Sequence, residues 1–299
     1  MLDLRRLRLL RELKRRGTIA AVAEALSYSP SAVSQQLSTL EKETGVTLLE
    51  PAGRRVRLTT QAELLVEHAG RLLEDMERAE AALARSLEDT VGTLRVAAFQ
   101  TAVLTLAPRT LLRLAEQHPG LRVEVAELEP EVALPALVSG EFDLVLGEEY
   151  PGRPLRRPRE TERHDLFTDE LRLATPTSWQ KRSLDALAQQ PFVLEPPGTT
   201  AYEWSVATCR HVGFEPDVRY VSTDLQIHLT LVEHGLAAAL VPDLSGAAAR
   251  PGVTVRRLPN RPQRLVFAAV RRGAVHHPTV QAFVGALEAV HGELTRQTS

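Results

Sequence analysis

Eight apolar residues, Leu58, Ala62, Leu65, Ala69, Leu72, Met76, Ala79 and Leu83, follow one another at intervals of 4, 3, 4, 3, 4, 3 and 4 residues. That alternation keeps one side of a helix apolar for more than three heptads, which favours a coiled coil and therefore a dimer. From Thr59 to Asp89 there is no proline and only one glycine, Gly70, so nothing interrupts the helix. One long helix packed on its own chain is the competing reading, and the repeated alanine permits close approach in both cases. Either way, a rod over residues 59–89 divides the 299-residue chain into a head, residues 1–58, and a much longer body.

Head and body differ in charge. Residues 1–60 hold eleven Lys or Arg against six acids, a balance of +5, so the net charge of −2 leaves −7 on the rest. A basic head on an acidic body points to a polyanionic partner bound by one domain only. The rod carries Arg71, Arg78 and Arg85 against eight acids in residues 61–90 and is unsuited to that role.

Within the head, Leu4, Leu7, Leu10 and Leu13 form the apolar side of a first helix, with Arg5, Arg8, Arg11 and Lys14 beside them. Thr18 can cap a second, Ala-rich helix, "IAAVAEAL". A turn through Ser27 and Tyr28 leads to Ser29 as N-cap and Pro30 at the first helical position of a third. That helix buries Val33, Leu37 and Leu40 and turns Ser31, Ser34, Gln35 and Ser38 outward, a stripe without charge. Two helices joined so tightly, about residues 19–38, match a helix-turn-helix. "GVTLLEPAGRRVRLT" then reads as strands Val46–Leu49 and Arg55–Leu58 around a Pro51–Gly53 turn, a wing carrying Arg54, Arg55 and Arg57.

After Val91 and Gly92 the body alternates strands with helices, which implies parallel sheet and crossover helices in two units. Ligands of such sheets bind beyond the carboxyl ends of strands, often at helix N-termini. Those ends carry Phe99, Gln100 and Thr101; Glu148; Gly198, Thr199 and Thr200; and Thr223 and Asp224. Taken singly, each is as readily an ordinary N-cap; four such stations suggest one shared cleft.

These residues resemble the LysR-type transcriptional regulators over essentially the whole chain. "GTIAAVAEALSYSPSAVSQQLSTLEKETGVTLLEPAGRRVRLT" is similar to that family's winged helix-turn-helix in order and spacing. "LAPRTLLRLAEQHPGLRVEVAELEP", "LVSGEFDLVLG" and "LTLVEHGLAAALVP" resemble its effector-binding half. The resemblance implies an N-terminal winged helix-turn-helix, mainly α, a long linker helix and two α/β subdomains of periplasmic-binding-protein-like type. The chain would cross between the subdomains twice: residues 92–161 and 268–299 form the first and 162–267 the second. Two departures stand out: Leu49 occupies a position where the family usually has Phe, and "TTQAE" replaces a Thr-Pro-x-Gly sequence, leaving the angle between head and body open. Family redox sensors need two cysteines, whereas Cys209 is the only one here.

The expected function is a sequence-specific DNA-binding regulator, not an enzyme, modulated by a small molecule in the body's cleft. Its expected partners are double-stranded DNA with an interrupted palindromic operator, the effector, and a second or further copies of itself as dimer or tetramer, with RNA polymerase as a further candidate. Ser29, Ser31, Ser34, Gln35 and Ser38 would face DNA, Gln35 first among them, because an amide can bond adenine N6 and N7. Arg54, Arg55 and Arg57 would touch phosphate or the minor groove, while Leu65, Ala69, Leu72, Met76, Ala79 and Leu83 would pair the protomers. No cofactor or metal is expected: the lone cysteine excludes a disulfide or Cys-rich zinc site. The charge-broken start lacks the apolar stretch of a signal peptide, and the expected location is the cytoplasm, at the nucleoid. A small-molecule-binding protein or enzyme with a two-subdomain cleft is the alternative; no GxGxxG, Walker-type loop, HExxH, GxSxG or CxxC supports it.

Overall fold

The computed structural model describes residues 2–53, 55–87, 89–180 and 183–298, with the side chains of Arg55, Gln297 and Thr298 outside that description. The head contains α1 (Leu4–Arg16), α2 (Ile19–Ala25) and α3 (Pro30–Thr44). Each starts on a side-chain cap: Asp3 accepts from the amide of Arg5, Thr18 from Ala21 and Ser29 from Ala32. Such caps satisfy amides that no preceding turn can reach. Leu7, Leu10 and Leu13 of α1 meet Val22, Val33, Leu37 and Leu40 in one core, all nearly inaccessible.

The wing is β1 (Leu49–Ala52) paired antiparallel with β2 (Arg55–Leu58). Its first strand begins three residues later than Val46–Leu49. The amides of Leu48 and Leu49 donate to Glu41 Oε1 of α3 at 2.8 and 3.1 Å, which ties the preceding segment to that helix instead of to the ladder. Pro51, expected in the turn, lies in β1 opposite Val56, on a two-stranded ribbon where its missing N–H is tolerated.

The rod is α4 (Thr60–Arg85). Thr59 caps it by accepting from the amide of Ala62, so it starts cleanly without the proline and glycine that the resemblance would lead one to expect there. It stops short of Asp89 because the amides of Ser86 and Leu87 bond three residues back, to Leu83 and Ala84, tightening the last turn. The apolar seam is divided. Ala62 and Ala69 are fully buried and Leu65 packs beside them in the head core against α1. Leu72 (44%), Met76 (43%) and Leu83 (70%) are exposed, as is Ala79. Leu65 and Ala69, expected to pair protomers, are thus occupied within the chain, because α1 covers that end of the rod.

The body begins with β3 (Gly92–Ala98), α5 (Gln100–Thr105), α6 (Ala107–Gln117), β4 (Leu121–Glu127), α7 (Pro130–Ser139), β5 (Leu144–Glu149) and β6 (Thr161–Pro176). It continues with β7 (Pro191–Leu194), α8 (Thr200–His211), β8 (Asp217–Val221), α9 (Leu225–Glu233), β9 (Ala239–Pro242) and β10 (Val253–Arg257). It closes with β11 (Gln263–Arg271) and α10 (Pro278–Thr298). Strand β3 pairs parallel with β4 and β5, and β7 pairs parallel with β8, as crossover helices require. Strands β6 and β11 join antiparallel, so the sheets are mixed.

A single 16-residue strand, β6, serves both units. Thr161–Glu170 pairs with β11 beside β5, whereas Leu171–Pro176 pairs with β9 and β10. The return starts at Gln263, opposite Glu170. By pairing, the crossings lie near Glu170 and Gln263, whereas the sequence reading put them at 162 and 268. The difference arises because "TERHDLFTDE" has too much charge to look like a strand. Those charges are paired: Arg163 with Glu149 and Asp165, Asp169 with Arg264. Among the described residues no helix is long and apolar enough to cross a membrane, and no group of three metal-ligating side chains occurs.

Candidate functional site

The outer side of α3 presents Ser31, Ser34, Gln35 and Ser38, all exposed, with Val33, Leu37 and Leu40 beneath them. Ser29 is engaged: its hydroxyl caps Ala32 and lies 3.0 Å from that of Ser31. The two adjacent glutamines part company. Gln36 Oε1 accepts from Arg6 Nε at 2.9 Å, while the amide of Gln35 has no protein partner among the described residues. An exposed amide with both its donor and acceptor free, on the outer face of the second helix of a helix-turn-helix, is suited to base edges.

The head's positive charge is less available than a count suggests. Arg6 pairs with Glu43, Arg15 and Arg16 with the buried Glu12, and Lys14 with Glu63. Arg8 and Arg11 donate to the carbonyls of Ser139 and Val138 at the end of α7. On the wing, Arg57 is highly exposed yet 2.9 Å from Glu50; Arg54 and the side chain of Arg55 lie outside the described residues.

In the body, polar bridges join the two units; one pairs Arg153 with Glu203 of α8 at 2.9 Å, and two others involve expected residues. Gln100, the first residue of α5, donates through Nε2 to Asp224 Oδ1 at 2.8 Å and accepts from the amide of Leu225 at 2.8 Å. Asp224 also accepts from the amide of Gln226, so Gln100 completes the cap of α9 from the opposite side of the cleft. Thr200, the first residue of α8, donates to Glu131 of α7. Thr199 caps α8 at Tyr202, following Gly198 at φ +97°, and Thr223 is exposed without a side-chain hydrogen bond among the described residues.

Three more expected residues, Phe99, Thr101 and Glu148, gather around Arg264 at the start of β11. Its guanidinium, 1% exposed, pairs with Glu148, reaches Asp169 Oδ2 from Nε and Nη2 at 2.9 and 2.8 Å, and donates to Thr101 at 2.6 Å. It lies 5.0 Å from the ring of Phe99. These three are floor, not lining: Phe99 and Thr101 are each 1% exposed.

Two family models match the chain. One, the bacterial regulatory helix-turn-helix protein of the lysR family, covers residues 4–63, and the other, the LysR substrate binding domain, covers residues 88–291. The chain belongs to the LysR family of transcriptional regulators. Among curated relatives, the probable HTH-type transcriptional regulator LrrA of Synechococcus elongatus is 29% identical over 98% of this chain and 99% of its own. Among solved structures, a full-length OxyR variant from Pseudomonas aeruginosa aligns with a TM-score of 0.66 at 20% identity, over 96% of this chain and 95% of that one. CbnR, a LysR family transcriptional regulator, aligns with a TM-score of 0.55 at 25% identity, over 96% of this chain and 100% of that one.

In this LysR regulator the head is accordingly the DNA-binding domain and the body the effector-binding domain. The cleft between its subdomains is acidic. Burial, then the neighbouring Glu148 and Glu195, push the Glu129 carboxyl up to about 8. Burial, then Glu148, push Glu195 up to about 7. Burial also raises Glu148 and holds the Tyr150 phenol well above its ordinary value. Arg264 stays cationic: the two buried carboxylates at its guanidinium raise it against its own desolvation. Cys209 sits in the second unit's core with its thiol pushed up to about 12 by burial, the behaviour of a small hydrophobe.

Arg264, Asp169, Glu129, Glu131 and Glu195 were not singled out by the sequence. Glu129, Glu131 and Glu195 follow β4 and β7, so the strand-end rule that selected Glu148 would have found them had it not favoured hydroxyls and glycines. Arg264 had no such signal, since one arginine opening the apolar run "RLVFAAV" reads as a strand edge.

Proposed function

We propose that the chain binds an interrupted palindromic operator as a dimer, or as a tetramer of such pairs, and that a small polar molecule closing the body's cleft alters that binding. The head, residues 1–58, reads DNA; the rod, residues 59–89, pairs protomers through Leu72, Met76, Ala79 and Leu83; the body's two subdomains hold the effector. Base contacts fall to Gln35 with Ser31, Ser34 and Ser38, and Ser29 with the wing residues Arg54, Arg55 and Arg57 takes phosphate or minor groove. The observation that carries this reading is the free, exposed amide of Gln35 beside the tethered Gln36.

Gln100, Thr200, Asp224 and Glu131 are the effector's proposed contacts, with Gly198, Thr199 and Thr223 at the rim and Phe99, Thr101 and Glu148 as the floor. The bonds Gln100–Asp224 and Thr200–Glu131 already link the two units, so a ligand inserting between them would change their spacing. A ligand acts on DNA binding through its unequal affinity for two such arrangements. The relatives' names are those of regulators, which supports a regulator and no enzyme; the protein would work in the cytoplasm at the nucleoid, with RNA polymerase as a further partner.

Gel shift with the promoter duplex beside its own gene tests the reading. A retarded band at low salt that survives excess unrelated duplex is expected; no retardation with any duplex contradicts it. A thermal-shift screen of amino acids, aromatic acids and organic acids on the same protein would reveal the effector as a rise in Tm.

A further inference from the structure

A second cavity, of about 460 Å³, lies in the first unit on the side of the sheet covered by α7, away from the cleft bridged by Gln100 and Thr200. Its size falls within the range of small-molecule sites, roughly 300 to 1,000 Å³. One wall is apolar, formed chiefly by Leu134 and Phe267; the other carries Arg157, Arg159, Arg163 and Arg272 against a single acid, Glu162.

Two of these four arginines, Arg159 and Arg272, are not neutralised. Arg159 and Arg272 are exposed and have no carboxylate partner among the described residues; Arg272 Nε instead donates to the Arg159 carbonyl at 3.1 Å. The nearest carboxylate to Arg157 is Glu149, at 4.0 Å. Glu162 accepts from the amide of Gly273 at 3.2 Å. Arg163, only 9% exposed, pairs with Glu149 at 2.7 Å and Asp165 at 2.6 Å and stacks 3.9 Å over Phe267. Its Nη2 is buried with no acceptor. A buried donor left without an acceptor is destabilising, and a cavity whose rim holds two guanidinium groups without carboxylate partners attracts anions.

We propose that this cavity is a second ligand site, taking an organic anion with a flat apolar body: a carboxylate held by Arg159 and Arg272, its hydrocarbon against Leu134 and Phe267. Arginine suits this because its planar fork bonds a carboxylate through two parallel N–H groups. The position has a consequence. Leu134, Arg157, Arg159 and Arg272 also line the larger groove where Arg8 and Arg11 of the head meet the body, so an occupant would lie beside the contact between DNA-binding and effector-binding domains.

Calorimetric titration of the full chain with 2-naphthoate, beside the neutral 2-naphthamide, tests the site. Naphthoate should bind saturably and naphthamide at least about tenfold more weakly. Arg159→Ala with Arg272→Ala should weaken naphthoate by about tenfold or more. Both side chains are exposed and free of carboxylates, so circular dichroism of this variant should be unchanged. Naphthoate held instead in the interdomain cleft would respond to Gln100→Ala and not to the arginine pair, and that result overturns the proposal. Equal affinity of acid and amide, or no naphthoate binding in the low-millimolar range, overturns it too.

Discussion

Arg264 shows how one buried charge can organise a cleft floor. Glu148, Asp169 and Thr101 arrive from three other elements, and each finds its partner in the same guanidinium. Removing the cation would leave two desolvated carboxylates facing each other. Arg264→Met should therefore cost about 3 to 5 kcal/mol in chemical denaturation; a loss under about 1 kcal/mol would mean that water already reaches the site. Glu129 and Glu195 give a pH signature of known sign. Both have folded-state values above the ordinary carboxyl value of 4.5, reaching about 8 and about 7. The folded state thus favours the protonated forms, and this stabilisation is complete below 4.5 and lost as pH rises through about 7 and about 8. Tm should fall as pH rises from 4.5 to about 8 and level off above, and Glu129→Gln should flatten that fall; parallel curves for the two proteins would assign the slope to other groups. Gln100, Thr200 and Asp224, which bridge the two units, were legible in the sequence because helix starts and strand ends are local features. Arg264 was not, because that residue's role depends on partners 95 to 163 positions away.

The elements were legible wherever a period or a cap marks them. Thr18, Ser29 and Thr59 cap the helices they precede, and the 4-3 spacing marks one long helix. What spacing cannot convey is which surface each stretch of the helix meets. The same apolar stripe is core at Ala62 and Ala69 and surface at Leu72 and Leu83, since α1 reaches only the first half. The two halves should respond differently to charge. Leu72→Asp with Leu83→Asp should leave Tm nearly unchanged and yield a monomer in light scattering, whereas Ala69→Asp should unfold the head. A dimer that survives the paired substitution would move the interface off α4. "ELRLATPT" reads as a strand and forms the second part of β6, but the first part was hidden for the complementary reason: its charges are satisfied by long-range pairing, so it lacks the alternation that reveals a half-buried ribbon.

At the scale of the molecule, α4 is held by both the head and the body. Its first half is part of the head core; farther along, Glu77 pairs with Arg271, and Gly273 lies so close that an added Cβ would come 2.6 Å from the carbonyl of Glu74. Arg8 and Arg11 add a direct contact between head and α7. A displacement in the body thus has two physical routes to the head, the rod and the α1–α7 contact, though an effect on DNA requires that the two body arrangements differ in affinity. The charge asymmetry of the sequence anticipated a DNA-binding head, but most of the α1 charges are spent on intrachain contacts, so the proposed reading of bases rests on α3. On the proposed reading, α3 recognises bases through Gln35. Fluorescence anisotropy competition between the own-promoter duplex and a scrambled duplex, at fixed salt, measures it directly. Wild type should prefer the promoter by about a thousandfold or more; Gln35→Ala should reduce that preference by about 1 to 3 kcal/mol per half-site, while Gln36→Ala, whose amide is already bound by Arg6, should change it little. An unchanged ratio for Gln35→Ala would take base recognition away from that amide.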